Sequence, residues 1–124
     1  MTVLVAVPDS KEGRYALLAA AEEARLLSTD LLVLNLTLGK LDVTGLPADV
    51  PHEVLDRAGP EDRDPADAVL DEINGRPDIV RLVLGVRRRS PIGKALLGSL
   101  SQRLLLESPI PVVAVKQPEG SPAR

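Results

Sequence analysis

Residues 81–103 combine glycines, hydroxyl groups and basic side chains in an order that suits a phosphate group. Gly85 follows a run of Leu and Val, and Gly98-Ser99 precedes an amphipathic run. A glycine lets a ligand approach the backbone closely, and a helix N terminus favours an anion. Positive charge comes from Arg87, Arg88, Arg89 and Lys94. The alternative is that the glycines only permit a loop and a helix break while the arginines are solvated.

Other chemistries have weaker support. A Walker-type P-loop requires G-x-x-x-x-G-K-[ST], but Gly93-Lys94 is followed by Ala95, and Arg88 stands where the first glycine belongs. The single histidine, His52, lies in a weakly patterned region without a Ser/His/Asp arrangement. The acids between residues 61 and 72 lack a convergent metal-ligand spacing. We therefore predict no metal site and no enzyme.

Composition narrows the class of ligand. The net charge is −3, yet residues 76–103 hold seven basic side chains against one acid. A local basic patch on an acidic protein favours a small anion over a nucleic acid, and one aromatic residue leaves little to stack bases. The absence of cysteine excludes disulfides, and no apolar run reaches the ~18 residues of a membrane span. A cytoplasmic location is the default expectation.

The elements that must position this stretch are strands and helices in alternation. Apolar runs predict strands at residues 2–7, 31–36, 79–84 and 111–116, and residues 52–57 are predicted as a short strand that is polar enough for an edge of the sheet. Helices are predicted over about 11–28 behind a Ser10 cap, from Asp64-Pro65 to Gly75, and after Ser99, whose spacing to Gln102 fits a capping box. Residues 39–51 are expected to form a loop with at most one helical turn.

This order predicts a single α/β domain over residues 1–116, with a flexible polar tail at 117–124. The expected architecture has three layers around a doubly wound, five-stranded parallel sheet of order 3-2-1-4-5. Its topological switch lies between strands 1 and 4, where ligands bind beyond the carboxyl ends of the strands. Those ends are Pro8-Asp9-Ser10 and the residues from Gly85 onwards, so the basic stretch falls beside the crevice.

With these residues in place, the chain resembles the universal stress protein family, whose fold is of the adenine nucleotide alpha hydrolase-like type. The resemblance starts at the first strand with its Pro8-Asp9-Ser10 turn and ends at the Pro-rich entry to the last strand. Its specific part is Gly-x-x-Gly, nine residues, Gly-Ser/Thr, in which Gly85 and Gly98-Ser99 match. The resemblance implies that ATP, with magnesium where present, binds at Pro8, Asp9, Ser10, Leu36, Thr37, Gly85, Arg87, Arg88, Gly98, Ser99 and Leu100.

Three departures from the family pattern bear on this expectation. Arg88 replaces the second signature glycine, and it either clashes with a triphosphate in the loop or pairs with it from the side. The acid of the first turn is displaced by one residue to Asp9. The helix that the family carries between strands 2 and 3 is shortened to residues 39–51.

The function expected from the resemblance is a regulatory or stress-linked module that binds an adenine nucleotide. The family commonly dimerises through its last strand, here Val112 to Val115, and an unpaired apolar edge invites another strand. The main alternative is a dimeric interaction protein of the same family that binds no nucleotide. A hydrolase or transferase, with turnover dependent on Asp9, is a third hypothesis.

Overall fold

The computed structural model describes residues 1–37, 39–56, 64–86 and 98–116. Strands and helices follow one another in the order β1 (Thr2–Val7), α1 (Lys11–Leu27), β2 (Asp30–Asn35), β3 (His52–Asp56), α2 (Pro65–Gly75), β4 (Ile79–Val86), α3 (Ser99–Glu107) and β5 (Val112–Lys116). Among the described residues, no helix combines the length and apolar character needed to cross a bilayer.

The five strands form one parallel sheet of order β3-β2-β1-β4-β5, as the sequence predicts. β1 lies in the centre and pairs with β2 on one side and β4 on the other. All the strands run in the same direction, so their carboxyl ends meet at a single edge of the sheet. The predicted switch point between β1 and β4 is therefore confirmed as a feature of the topology.

Alternating side chains of the strands build two cores, one on each face of the sheet. On one face, Val3, Val5 and Val7 of β1 pack beneath the alanine-rich side of α1. On the other face, Leu4 and Ala6 pack with residues of α2 and with Leu104 of α3. A central strand that is apolar on both faces requires helices on both faces, which gives the three predicted layers.

The segment from residue 39 to residue 51 contains turns and no helix, as expected. Its apolar side chains cover the α1 face of the sheet, where Val50 is buried and Leu41, Val43 and Leu46 are partly buried. The guanidinium of Arg25 in α1 donates to both carboxylate oxygens of Asp49, at 2.8 and 3.2 Å. The segment thus takes the place of a helix beside α1.

Several predicted boundaries shift by one or two residues, and two of the shifts matter. β4 extends to Val86, so the prediction that Gly85 follows the strand is wrong; Gly85 pairs with Val115 in the β4–β5 ladder. α3 is capped by Gly98, so the prediction that Ser99 caps it in a capping box is also wrong. The first turn closes between the Gln102 amide and the Gly98 carbonyl at 2.9 Å, which makes Ser99 the first helical residue.

Candidate functional site

Three of the predicted site segments lie along the carboxyl edge of the sheet. Residues 8–10 follow β1, residues 36 and 37 follow β2, and residues 98–100 begin α3. Gly85 lies one residue before the end of β4, beside β1. The fold therefore gathers the described part of the predicted site at one end of the sheet.

The turn after β1 is fixed by its own hydrogen bonds. The Ser10 amide donates to the Pro8 carbonyl at 2.9 Å, and the Ser10 hydroxyl accepts from the Gly13 amide at 3.1 Å. Ser10 is thus the N-cap of α1, as the sequence predicts, and its side chain is already engaged. Asp9 stands out from the same turn with an exposed side chain, so it is the residue of this turn that faces a ligand most openly.

A cleft of about 390 Å³ lies beside this turn, between the carboxyl ends of β1 and β2. It is lined by Asp9, Arg14, Leu17, Thr37, Gly39, Lys40, Leu41 and Asp42. The cleft brings Asp9 and Thr37 together, as predicted from the resemblance. It also adds Arg14, Lys40 and Asp42, which sequence reasoning missed. Lys40 and Asp42 lie in the unpatterned residues 39–51, and Arg14 lies on α1, whose sequence pattern does not show that it faces this cleft.

The charges in the cleft are balanced. Hydrogen bonds from the Thr44 amide at 2.9 Å and hydroxyl at 2.7 Å lower the pKa of Asp42, and the charge of Arg14 lowers this pKa further. Asp42 is therefore ionised at neutral pH. Two acids and two bases then line a cleft that suits a polar, largely neutral group such as a nucleoside better than a polyphosphate.

Asn35 organises the floor of this end of the sheet. Its buried side chain donates to the Gly39 carbonyl at 2.9 Å and to Asp56 at 3.0 Å, and its oxygen accepts from the Thr37 amide at 2.9 Å. The Thr37 hydroxyl bridges Asn35 and Gly39. A single polar residue at the end of an apolar strand is the sequence signal that would have identified it.

Leu36 and Thr37 offer less to a ligand than their positions suggest. The Leu36 amide donates to the Val7 carbonyl at 3.0 Å, and its side chain is only 8% exposed. The Thr37 amide is bound by Asn35. Both amide donors are therefore engaged within the protein. A ligand that contacts this backbone would accordingly meet its carbonyl oxygens.

Gly85 is required by the packing of α1. A Cβ at this position would lie 2.7 Å from the carbonyl carbon of Glu12 and 2.9 Å from its Cβ. These distances are well below an ordinary contact between carbon atoms. The lack of a side chain at Gly85 thus lets the first turn of α1 settle against β4, close to the Asp9 turn.

Gly98 presents the opposite case. Its φ of −68° is open to any residue, and a Cβ there would meet no atom of the described residues within 4 Å. Neither backbone conformation nor packing within these parts of the chain explains a glycine. The glycine cap also has no side chain to accept from the first-turn amides of α3. These amides are left to another acceptor.

The N termini of the other two helices at this edge are closed by side chains. Ser10 caps α1, and the Asp64 carboxylate caps α2 by accepting from the Ala66 amide at 2.9 Å. The α2 cap and Pro65 behind it are as predicted from the sequence. Of the three helices that begin at this edge in the described part of the chain, α3 is the one whose cap has no side chain.

Two of the predicted site residues, Arg87 and Arg88, lie outside the described residues, as do Arg89 and Lys94. Ser99 is exposed and Leu100 is half-buried, where it packs against the α2-side core. Within residues 1–37, 39–56, 64–86 and 98–116, no three His, Cys, Asp or Glu side chains converge to hold a metal ion.

Comparison with known proteins points to one family. The model of the universal stress protein family matches residues 60–116. A universal stress protein of Mycolicibacterium smegmatis is 44% identical over 119 residues, which cover 87% of this chain and 91% of that protein.

Solved structures with the same fold come from Archaeoglobus fulgidus. A universal stress protein of that organism superposes with a TM-score of 0.69 at 26% identity, covering 94% of this chain and 98% of the other. A second structure, a universal stress protein in complex with dAMP, gives a TM-score of 0.63 at 22% identity with the same coverage. At that identity the second likeness shows the fold alone.

Proposed function

This chain belongs to the universal stress protein family, and we propose that it acts there as a cytoplasmic regulatory protein of the stress response that binds an adenine nucleotide. The proposed ligand is ATP, held at the carboxyl edge of the sheet. The adenosine occupies the cleft beside β1 and β2, and the phosphates lie against the N terminus of α3.

The observation that supports this proposal most strongly is the start of α3. No described neighbour requires Gly98 to lack a side chain, and as the N-cap of α3 it leaves the first-turn amides without a side-chain acceptor. Partial positive charge at a helix N terminus favours a phosphate, and a glycine allows its oxygens to approach the backbone. Ser99 adds a hydroxyl at the same point, and Leu100 anchors the turn on the core.

The part of the proposal that concerns the nucleoside depends on the cleft. Asp9 is exposed at its rim and accepts hydrogen bonds from ribose hydroxyls. The carbonyls of Leu36 and Thr37 are the acceptors offered to the base, since the two amides are engaged elsewhere. Pro8 and Ser10 contribute by shaping the turn, and Gly85 by admitting α1.

Arg87 and Arg88 belong to the proposal as sources of positive charge for the phosphates. Arg88 replaces a signature glycine of the family, so its side chain either pairs with the phosphates from the side or fills their place. The universal stress protein of A. fulgidus in complex with dAMP supports an adenine nucleotide as the ligand in this fold.

We assign no hydrolysis to the site. Two acids of the described residues, Asp9 and Asp42, line the cleft of the proposed nucleotide, and no group of three acids or histidines there can hold a metal. Any magnesium would therefore arrive with the nucleotide phosphates. Binding without turnover fits a regulatory module that responds to nucleotide level.

The second proposal concerns assembly. Among the described strands, β5 pairs with β4 alone, and Ala114 in the middle of β5 is exposed. β5 has three valines and one lysine in five residues, so its outer edge is suited to pairing with a second copy of the chain. We propose a homodimer through Val112 to Val115. A dimeric interaction protein without nucleotide is the second candidate function, favoured by Arg88 at the signature glycine.

Isothermal titration calorimetry with ATP, with and without magnesium, tests the proposal. Saturable heat in the micromolar range is expected, and its absence at high micromolar concentration would leave the interaction protein as the better account. Mass spectrometry of the gently purified protein gives a second readout, because a co-purified ATP or AMP would support the nucleotide-binding proposal directly.

A further inference from the structure

Arg103 joins the two helices that begin beside the proposed phosphate site. Its guanidinium donates to Asp64 Oδ2 at 2.9 Å, to Asp67 Oδ1 at 2.6 Å and to Glu107 Oε2 at 3.0 Å. Asp64 and Asp67 form the cap and first turn of α2, whereas Glu107 ends α3. All three acids are about half exposed, while the Arg103 side chain is two-thirds buried.

The cap of α2 takes part directly in this arrangement. Asp64 accepts from the Ala66 amide through Oδ1 and from Arg103 through Oδ2. One carboxylate therefore closes the N terminus of α2 and holds α3. This contact spans 39 residues of sequence, so it fixes the position of one helix relative to the other rather than the shape of either.

α3 has few other attachments. Leu104 is its one fully buried side chain among the described residues, and Leu100 packs partly on the same core. The Ser101 hydroxyl donates to the Gly85 carbonyl at 3.1 Å and links the helix to β4. A nine-residue helix with so little burial depends on its polar contacts for a defined position.

We propose that Arg103 is a positioning residue for the phosphate site: through Asp64 and Asp67 it fixes the first turn of α3 where a nucleotide's phosphates meet it. The proposal rests on the proposed nucleotide binding. The contacts to the phosphates and to the nucleoside can be tested separately, because Arg103 holds α3 and does not touch the cleft beside β1 and β2. Loss of Arg103 should weaken the phosphate contacts and leave the nucleoside contacts unchanged.

The experiment compares ATP with adenosine as ligands for Arg103→Met, which keeps an unbranched stem and removes the charge and the hydrogen-bond donors. We expect about fivefold weaker binding of ATP, the size that a network of partly exposed ion pairs can supply, and unchanged binding of adenosine. The matched control is Arg76→Met. Arg76 also pairs with two acids, at 3.7 and 3.8 Å, but it lies at the opposite edge of the sheet, so both affinities should stay at the wild-type value.

Asp67→Asn separates positioning from simple electrostatics and covers the case in which Arg103→Met fails to fold. It removes a negative charge near the phosphates, so an electrostatic role alone would strengthen ATP binding. Positioning predicts weaker binding instead, and Arg103→Met with Asp67→Asn should cost little more than Arg103→Met alone.

The outcomes differ for the two proposals. If the unaltered protein binds ATP and the variants bind it equally well, or if ATP and adenosine weaken together, the positioning role is overturned and nucleotide binding stands. Stronger ATP binding by Asp67→Asn overturns it too. If the unaltered protein binds neither ligand, the proposed function fails and the positioning role fails with it.

Discussion

Replacement of Gly85 by alanine should destabilise the fold by forcing α1 away from β4. The added methyl group would lie 2.7 and 2.9 Å from two carbon atoms of Glu12, against about 3.5–4.0 Å for an ordinary contact. The nearest atom is the carbonyl oxygen of Glu12, which the methyl group would overlap, and backbone cannot rotate aside as a flexible side chain can, so the first turn of α1 must move away from β4. Overpacking of this kind costs about 1–3 kcal/mol, and alanine returns about 0.4–1 kcal/mol by restricting the unfolded chain.

The net loss expected for Gly85→Ala is about 1–2 kcal/mol, or a fall in Tm of about 4–8 °C for a chain of this size. Gly75→Ala is the matched control, because a Cβ there meets nothing within 4 Å in the described part of the chain. It should leave Tm unchanged or raise it slightly. Thermal unfolding followed by circular dichroism measures both. A Gly85→Ala variant as stable as the control would refute the packing argument.

Two further predictions concern pH and assembly. A hydrogen bond from the Thr2 hydroxyl, at 2.9 Å, lowers the pKa of Asp78, so this carboxylate stabilises the fold at neutral pH and loses its effect as the pH falls below about 4. The Tm advantage of the wild type over Asp78→Asn should therefore shrink between pH 7 and pH 3, and a constant difference would contradict the assignment. For the dimer, Ala114→Lys places a charge in the middle of the exposed edge of β5 and should shift sedimentation towards the monomer. A wild-type protein that sediments as a monomer would contradict the proposed dimer through β5.

The sequence predicted the features that depend on local chemistry. β1, β2, β4 and β5 were visible as apolar runs, which are typical of strands in a parallel sheet, whereas β3 was predicted as a short, polar edge strand. Ser10 and Asp64 were predictable as caps because a short polar side chain ahead of an amphipathic run has a local hydrogen-bonding reason to be there. The sheet order followed from these elements and the resemblance.

The features that sequence analysis missed depend on contacts between distant segments. Gly85 was predicted to follow its strand because its pairing partner, Val115, lies on β5, 30 residues away, and is invisible to local pattern. Ser99 and Gly98 are both acceptable N-caps by local sequence. Gly98 is the N-cap because its carbonyl accepts the hydrogen bond from the Gln102 amide. Arg103 meets two of its acids across 36 and 39 residues, and no spacing rule predicts such a pair.

The central claim is that α3 presents an anion site that only a glycine at position 98 keeps open. Titration calorimetry with ATP on the wild type and on Gly98→Val tests it most directly, with Tm measured on both proteins and Gly75→Val as the control. We expect ATP binding by the wild type and the control and none by Gly98→Val. The Tm of Gly98→Val should fall by a few degrees at most, because valine is a poorer N-cap than glycine but meets no described neighbour. Gly98→Val that binds ATP as the wild type does, or a wild type that gives no heat with ATP, would contradict it.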